Sequence, residues 1–215
     1  NRYLSGVVLQ EAAILAVALW PLHKAGGLKR IIVSTYQSAS GAGAAAMEEL
    51  EVSTRAWLKG EAYEPKVLPH PYAFNLFSHN TIIGADGYNG EETKVIAEMR
   101  KIFGLPELRV GVTCVRVPVL RAHSMAITAE FADKLSVDKA RELLSKAPGL
   151  KVVDDRVNNH FPMPVESTGQ NDVLVGRIRE DLSDPSGHTL ALFISGDQLL
   201  KGAALNAVQI AEKLP

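Results

Sequence analysis

The stretch TCVRVPVLRAHS, residues 113–124, holds the densest set of reactive side chains in the sequence. On an alternating strand Val115, Val117 and Val119 face one side, and Cys114 and Arg116 share the other. An arginine on an apolar strand is costly unless it meets an anion, and its planar fork matches a carboxylate in bidentate geometry. His123, at the strand end, suits general acid/base work near neutral pH. The plainer alternatives are a structural ion pair for Arg116 and a satisfied core histidine. Cys114 could act as a nucleophile with His123, but a lone cysteine among valines is more often a small buried hydrophobe.

Two other stretches carry chemistry. Residues 34–43, STYQSASGAG, read as a strand entering a small-residue loop before a helix. Backbone N–H groups exposed there suit an anion or a developing oxyanion, and Gln37 could orient a carbonyl or a water. Taken alone, an ordinary strand-to-helix connection is the stronger reading. Glu91, Glu92 and Lys94 open the run EETKVIAEMRK. Charges at a helix start are usually a solvated face, although Lys94 could hold a phosphate as a point charge.

The elements that must position these residues follow from periodicity and punctuation. Residues 12–23 read as a helix ended by Pro21, and 29–36 (KRIIVSTY) as a strand. A loop covers 38–43. A helix covers 44–59, closed by Gly60, with Glu48, Glu49 and Glu51 near its start where the dipole favours them. Residues 61–90 are irregular and proline-rich; loops longer than about 15 residues are uncommon and usually functional. Helices at 91–103 and 136–146 (N-cap Ser136) and strands at 109–119, 125–131, 151–154, 173–180 and 189–195 follow. A loop fills 155–172, and a final helix spans 199–214. Consecutive strands predict an α+β fold with a mixed, largely antiparallel sheet.

Composition narrows the function classes. The chain has 215 residues, 47% hydrophobic and 22% charged, which is ordinary globular material able to bury a core. A net charge of −1 argues against nucleic-acid binding through bulk positive charge. One cysteine excludes an intrachain disulfide framework and a cysteine-rich zinc site, and makes a reducing compartment the default. No metal site and no strong glycine-rich nucleotide fingerprint is visible. The apolar run 12–20 is shorter than the ~20 residues of a bilayer span and reads as a buried helix rather than a signal peptide.

Several stretches together resemble aspartate-β-semialdehyde dehydrogenase: STYQSASGAGAAAMEEL, YAFNLFSHN, TCVRVPVLRAHS, VGRIREDLSD and GDQLLKGAALNAVQIAE. Their joint order and spacing run from about Pro21 to Pro215. The resemblance implies an NADPH-dependent oxidoreductase of amino-acid biosynthesis (lysine, threonine, methionine, isoleucine). It reduces aspartyl-β-phosphate to the semialdehyde through a thioacyl intermediate. It also implies the C-terminal fold of the glyceraldehyde-3-phosphate and semialdehyde dehydrogenase superfamily, with helices packed on one face of the sheet. By resemblance, His123 is the acid/base and Gln37 neighbours the nucleophile. Arg116 binds the substrate carboxylate, Lys94 the phosphate, and Glu92, or Glu91 in the other register, the amino group. Ser40, Gly41, Gly43 and Gln198 lie near the cofactor NADP, which an N-terminal Rossmann domain mainly binds. Implied partners are the substrate and a second copy in a homodimer or larger homo-oligomer, with no nucleic acid or membrane. The compartment is a plastid for a photosynthetic eukaryote and the cytoplasm otherwise.

The sequence departs from that pattern at its start. The family's nucleophilic cysteine sits in an Asn-Pro-Asn-Cys-Ser-Thr stretch, which counting back from Pro21 places near Gln10. This chain reads VVLQEAA there. In the family Cys114 belongs to the TCVRV strand and is no substitute. The expectation is a divergent leader and helix (1–20), a substrate-binding and dimerisation domain (21–198), and a C-terminal helix (199–215) that would pack on a Rossmann domain. Hydride transfer by this chain alone is not expected. The alternatives are a non-catalytic paralogue that dimerises with a full-length enzyme, and an N-acetyl-γ-glutamyl-phosphate reductase. The STYQ, RVPV and GDQLLKGAALNAVQIAE wording disfavours the latter.

Overall fold

The computed structural model describes residues 10–212. Most of the expected leader and the last residues of the expected C-terminal helix lie outside them. A long helix, α1 (Gln10–Gly26), opens the described chain, and β1 (Leu28–Gln37) follows. A 3-10 turn (Ala39–Ala42) leads into α2 (Ala44–Leu58). After a long loop come β2 (Phe77–Ser78), α3 (Gly90–Phe103), β3 (Arg109–Arg116) and β4 (His123–Phe131). The rest is α4 (Val137–Lys146), β5 (Leu150–Val152), α5 (Pro164–Ser167), β6 (Val173–Glu180) and β7 (Thr189–Gly196), then a π turn (Leu200–Ala204) and α6 (Leu205–Ala211).

The strands form one sheet in the order β2-β3-β1-β4-β7-β6-β5. Pairs β1–β3 and β5–β6 are parallel and the other pairs antiparallel, as the α+β expectation required. Period-2 alternation sends Ile31 and Val33 of β1, Met125 and Ile127 of β4, and Leu192 and Ile194 of β7 to one face. There they meet Ile14, Leu15, Leu19 and Leu22 of α1 and the apolar sides of α3 and α4 in a single core. α1 is apolar almost all round because the sheet and two helices enclose it. The opposite sheet face carries Ile32, 43% exposed, and the half-buried Tyr36 and Phe193, whose rings lie 6.1 Å apart.

The short elements β2 and α5 fall inside stretches expected to be loops, β5 ends at Val152 rather than 154, and the expected final helix opens as a π turn. Three further boundaries differ from the sequence reading for a plain physical reason. α1 continues through Pro21 to Gly26, because a proline removes only the one hydrogen bond to the Val17 carbonyl. The next residues close the helix through the N–H of Gly27 on the His23 carbonyl (2.8 Å) and the Leu28 N–H on His23 Nδ1 (3.1 Å). The division drawn between residues 20 and 21 therefore falls inside one helix. β3 ends at Arg116 rather than 119. Pro118 cannot donate to a ladder, and the backbone beyond Arg116 runs beside the 3-10 turn instead, with Ala39 and Ser40 N–H donating to Val119 and Leu120 carbonyls. β4 starts at His123, two residues early, after Ala122 turns the chain at φ +72.

The long loop is tied down. Glu49 is buried, and its carboxylate accepts the backbone N–H groups of Lys66, Val67 and Leu68. That role replaces the one expected from the helix dipole. Leu68, Tyr72 and Phe77 form a second small core with Ala39, Ala46 and Leu50.

Gly176 in β6 tests the packing. A Cβ there would fall 2.0 Å from the Val153 carbonyl oxygen and 2.7 Å from Pro162 Cδ. Gly176→Ala is expected to cost about 3 kcal/mol or more in urea unfolding, through backbone displacement. Gly111→Ala, whose Cβ would only touch Ile32 Cγ1 at 3.9 Å, should stay within about 1 kcal/mol of the parent.

Candidate functional site

The site lies at one end of the central strands. Parallel pairing sets Gln37 of β1 opposite Arg116 of β3, and antiparallel pairing sets Phe77 of β2 opposite Arg116. His123 opens β4 beside them, opposite Gly196 of β7. The first turns of α1 and α3 bring Glu11 and Glu91 to the same end. All five charged or titratable members (Glu11, Glu91, Glu92, Arg116, His123) are buried.

His123 is fully buried, and its Nδ1 receives the Ser38 backbone N–H at 3.0 Å, with Ser38 Oγ at 2.9 Å. That contact makes Nδ1 an acceptor and puts the ring proton of the neutral form on Nε2. Nε2 lies 3.1 Å from Glu11 Oε1, within ion-pair distance, but it has no hydrogen-bond partner of good geometry. A hydrogen bond weakens steeply off-axis, so the Nε2 proton is close to a carboxylate but not committed to it.

Glu11 accepts Gln37 Nε2 at 2.6 Å, and Glu91 Oε1 lies 3.3 Å from the same nitrogen. Burial opposes charge on Glu11, yet the His123 ring beside it and the neighbouring Glu91 carboxyl outweigh it and hold its carboxyl below the usual range. Glu91 moves the other way: burial, then the neighbouring charge of Glu11, push it up. The two carboxyls share one proton as a pair.

Arg116, 5% exposed, meets only neutral acceptors: His79 Nε2 on Nη2 (2.8 Å), Asn80 Oδ1 on Nε (3.3 Å) and the Ser38 carbonyl on Nη1 (3.4 Å). No ion pair is formed by Arg116 among the described residues. The 3-10 turn backs this group closely. A Cβ on Gly41 would come within 2.9 Å of His123 Cε1 and Nε2 and 3.3 Å of Arg116 Nη1, so only glycine fits there.

The other sequence candidates divide. Glu92 is occupied structurally: with Asn89 it forms the capping box of α3, and its Oε1 also accepts the Cys114 N–H at 2.9 Å. Its carboxylate serves the cap, and Glu91 is the register that reaches the cluster. Lys94 is exposed one turn into α3, where its charge acts on Glu91 and His79. Ser40 is buried, 3.0 Å from Ser38 Oγ, and accepts Gln198 Nε2. Gln198 is buried, and its Oε1 has no hydrogen-bond partner. Gly43 takes φ +96 with nothing within 4 Å of a would-be Cβ. Cys114 is buried, and burial, with the nearby Glu11 and Glu91 charges, pushes its thiol up to about 12. That is the small-hydrophobe reading and not a nucleophile. Among the described residues no group of His, Cys, Asp and Glu could hold a metal, and no helix is long and apolar enough to cross a membrane.

Sequence reasoning missed Glu11, Ser38, His79 and Asn80. Glu11 was visible as a charge breaking an apolar run. His79 and Asn80 lay at the end of YAFNLFSHN inside a loop whose path no periodicity reveals.

The model of the "Semialdehyde dehydrogenase, dimerisation domain" family matches residues 19–201. Over 201 residues the chain is 55% identical to an aspartate-semialdehyde dehydrogenase of Synechocystis sp., covering 94% of this chain and 59% of that protein. It is 52% identical to one of Prochlorococcus marinus, covering 94% and 58%. The solved aspartate semialdehyde dehydrogenase II of Vibrio cholerae, complexed with ASA, matches with a TM-score of 0.91 at 36% identity, over 95% of this chain and 60% of that one. The chain thus spans less than two thirds of the relatives it matches.

The carboxyl pair gives a signed pH dependence. Glu91 titrates above its ordinary value of 4.5 when folded, so the folded state holds a proton that the unfolded state has released. Stability is expected to fall as pH rises from about 4.5 through the raised value. Glu91→Gln should flatten that slope in thermal melts taken across the range; an unaltered slope would refute the shared proton.

Proposed function

We propose, for a chain that belongs to the semialdehyde dehydrogenase family and matches its dimerisation domain, that it is the substrate-binding and dimer-forming unit of an aspartate-semialdehyde dehydrogenase. The observation that carries this is Arg116: a buried guanidinium with neutral acceptors only, beside a histidine whose Nε2 proton is uncommitted. A buried cation without an anion is costly, and a substrate carboxylate would remove that cost.

In this reading Arg116 takes the carboxylate of aspartyl-β-phosphate or the semialdehyde. Glu91 takes the ammonium group, whose charge would draw the shared proton off the carboxyl pair. Lys94, exposed at the rim, takes the phosphate as a point charge. His123 Nε2 delivers or removes the proton at the reacting carbonyl, with Nδ1 fixed by Ser38 N–H. Gln37 Nε2 orients the groups between Glu11 and Glu91.

The nicotinamide cofactor NADP supplies the hydride when bound, and its main platform would be a Rossmann domain. The residues here fit its edge. Gln198 Oε1 is an unpartnered buried acceptor suited to a carboxamide N–H, and the Ser40, Gly41 and Gly43 turn leaves open space at Gly43.

Thioacyl chemistry needs a thiolate, and the turn expected to carry it reads Gln10–Glu11. We propose that this chain binds substrate without turning it over alone. Glu11 beside His123 also favours the second reading, a non-catalytic subunit that pairs with a complete enzyme. Copurification with such an enzyme, and altered turnover in the mixture, would distinguish the two.

The dimer surface in this proposal is the sheet face opposite the helices, around Ile32, Tyr36 and Phe193. Ile32→Glu is expected to convert a dimer to a monomer in sedimentation, since an ionised carboxylate buried at that centre is not compensated. A dimer unchanged by the substitution would place the interface elsewhere.

The binding role has its own test. Arg116→Lys removes the bidentate fork and is expected to weaken L-aspartate semialdehyde binding by about 1.5–3 kcal/mol in titration calorimetry. Equal affinity in the two proteins would overturn the assignment.

A further inference from the structure

We infer that His79 and Asn80 are positioning residues that hold the Arg116 guanidinium edge-on, so that its end-on fork alone remains free for a planar carboxylate. This rests on the substrate role proposed for Arg116.

Donor counting carries the argument. A guanidinium has five N–H donors. Nε and Nη2 share its side edge, and that edge is taken: Asn80 Oδ1 accepts from Nε at 3.3 Å and His79 Nε2 from Nη2 at 2.8 Å. The Ser38 carbonyl accepts from Nη1 at 3.4 Å. Two donors are left, one each on Nη1 and Nη2. With the Ser38 carbonyl on the Nη1 proton that points back toward Cδ, as this inference requires, those two form the end-on fork, whose spacing matches the two oxygens of a carboxylate.

The acceptors are themselves fixed. Because His79 Nε2 accepts from Arg116, its ring proton sits on Nδ1, which lies 3.2 Å from Thr81 Oγ1. Thr81 Oγ1 also receives the Glu91 N–H at 3.0 Å and donates to Asn89 Oδ1 at 3.5 Å. Asn89 is the N-cap of α3 and accepts the Glu92 N–H at 2.9 Å. The donors therefore run one way, from Arg116 through His79 and Thr81 to the helix cap. The backbone is held too: His79 N–H donates to the Cys114 carbonyl at 2.9 Å, extending the β2–β3 pairing. His79 is buried, and burial, then the Arg116 charge, push it down to about 4, which keeps it a neutral acceptor at physiological pH.

This arrangement also sets a selectivity. A carboxylate meets both free donors at once. A neutral carboxamide offers one acceptor and one donor to them, and so leaves a buried N–H unpaired.

The test uses the 215-residue chain and has a readout that needs no ligand. In ¹⁵N side-chain spectra, with the Arg116 signals identified by their loss in Arg116→Lys, Arg116 Nε and Nη protons should be resolved and slow to exchange. His79 should show a bare Nε2. His79→Leu is expected to broaden and speed exchange of the Arg116 signals at least tenfold. His79→Gln, which returns an acceptor near the Nε2 position, should restore them. Asn80 is exposed, so Asn80→Ala keeps the fold and should speed exchange at Nε selectively. If Arg116 exchange is unmoved by His79→Leu or, should that variant not fold, by Asn80→Ala, the positioning role is overturned.

Titration with L-aspartate and its α-carboxamide, isoasparagine, separates this from the substrate reading. Roughly tenfold weaker L-aspartate binding in His79→Leu, rescued by His79→Gln, supports both. Altered Arg116 exchange with no L-aspartate binding by any protein supports the positioning role and sinks the substrate reading.

Discussion

Burying several ionisable groups at one end of a sheet is the constraint on which the rest of this structure turns. Arg116, His123, Glu11, Glu91 and Glu92 are all nearly shut off from water. None could be buried alone without a cost of several kcal/mol. Each is compensated differently. Glu92 has its oxygens hydrogen-bonded by two backbone amides, Asn89 and Cys114. Glu91 keeps a proton because Glu11 beside it does not. Arg116 is hydrogen-bonded by neutral acceptors alone, with the Glu11 and Glu91 carboxyls near it but not paired to it. On the proposed reading, a guanidinium without an ion-pair partner favours an anionic ligand.

The sheet makes this balance geometrically possible. Parallel pairing of β1 with β3 puts Gln37 and Arg116 level, and the antiparallel run of β4 starts at the same end with His123. The backbone then departs from regular strand on both sides. Pro118 stops β3, Ala122 turns at positive φ, and the 3-10 turn fills the gap through Gly41. These irregularities are where the site sits, because a regular ladder would leave no backbone N–H, such as that of Ser38, free to fix the histidine.

Local pattern exposed most of this scaffold. Alternation in RIIVSTY and in TCVRV located the strands and sent Cys114 and Arg116 to the same buried side. The capping of α4 by Ser136 was equally readable from sequence. What local pattern could not expose depends on distant partners. Glu49 looked like a dipole charge and is instead a clamp on Lys66, Val67 and Leu68, because the loop path decides which amides reach it. Glu91 and Glu92 are adjacent, and only the capping geometry at Asn89 decides which of them turns inward to the cap. His79 becomes an arginine partner only when β2 docks on β3.

Glu11 sits at the centre of this cluster. Its carboxylate lies in the first turn of α1, where unpaired N–H groups and the helix dipole favour negative charge. The Gln37 amide donates to it, and the His123 Nε2 proton faces it. On the proposed reading, those same features would stabilise a thiolate, the anion that the sequence resemblance implies at this turn. On that reading the slot suits a negative group rather than sulfur in particular. A glutamate there keeps the charge balance, and with it the fold of the cluster, while offering no thiolate for acyl transfer. On the proposed reading, folding and substrate recognition depend on charge at this turn, whereas chemistry depends on the identity of the atom that bears it.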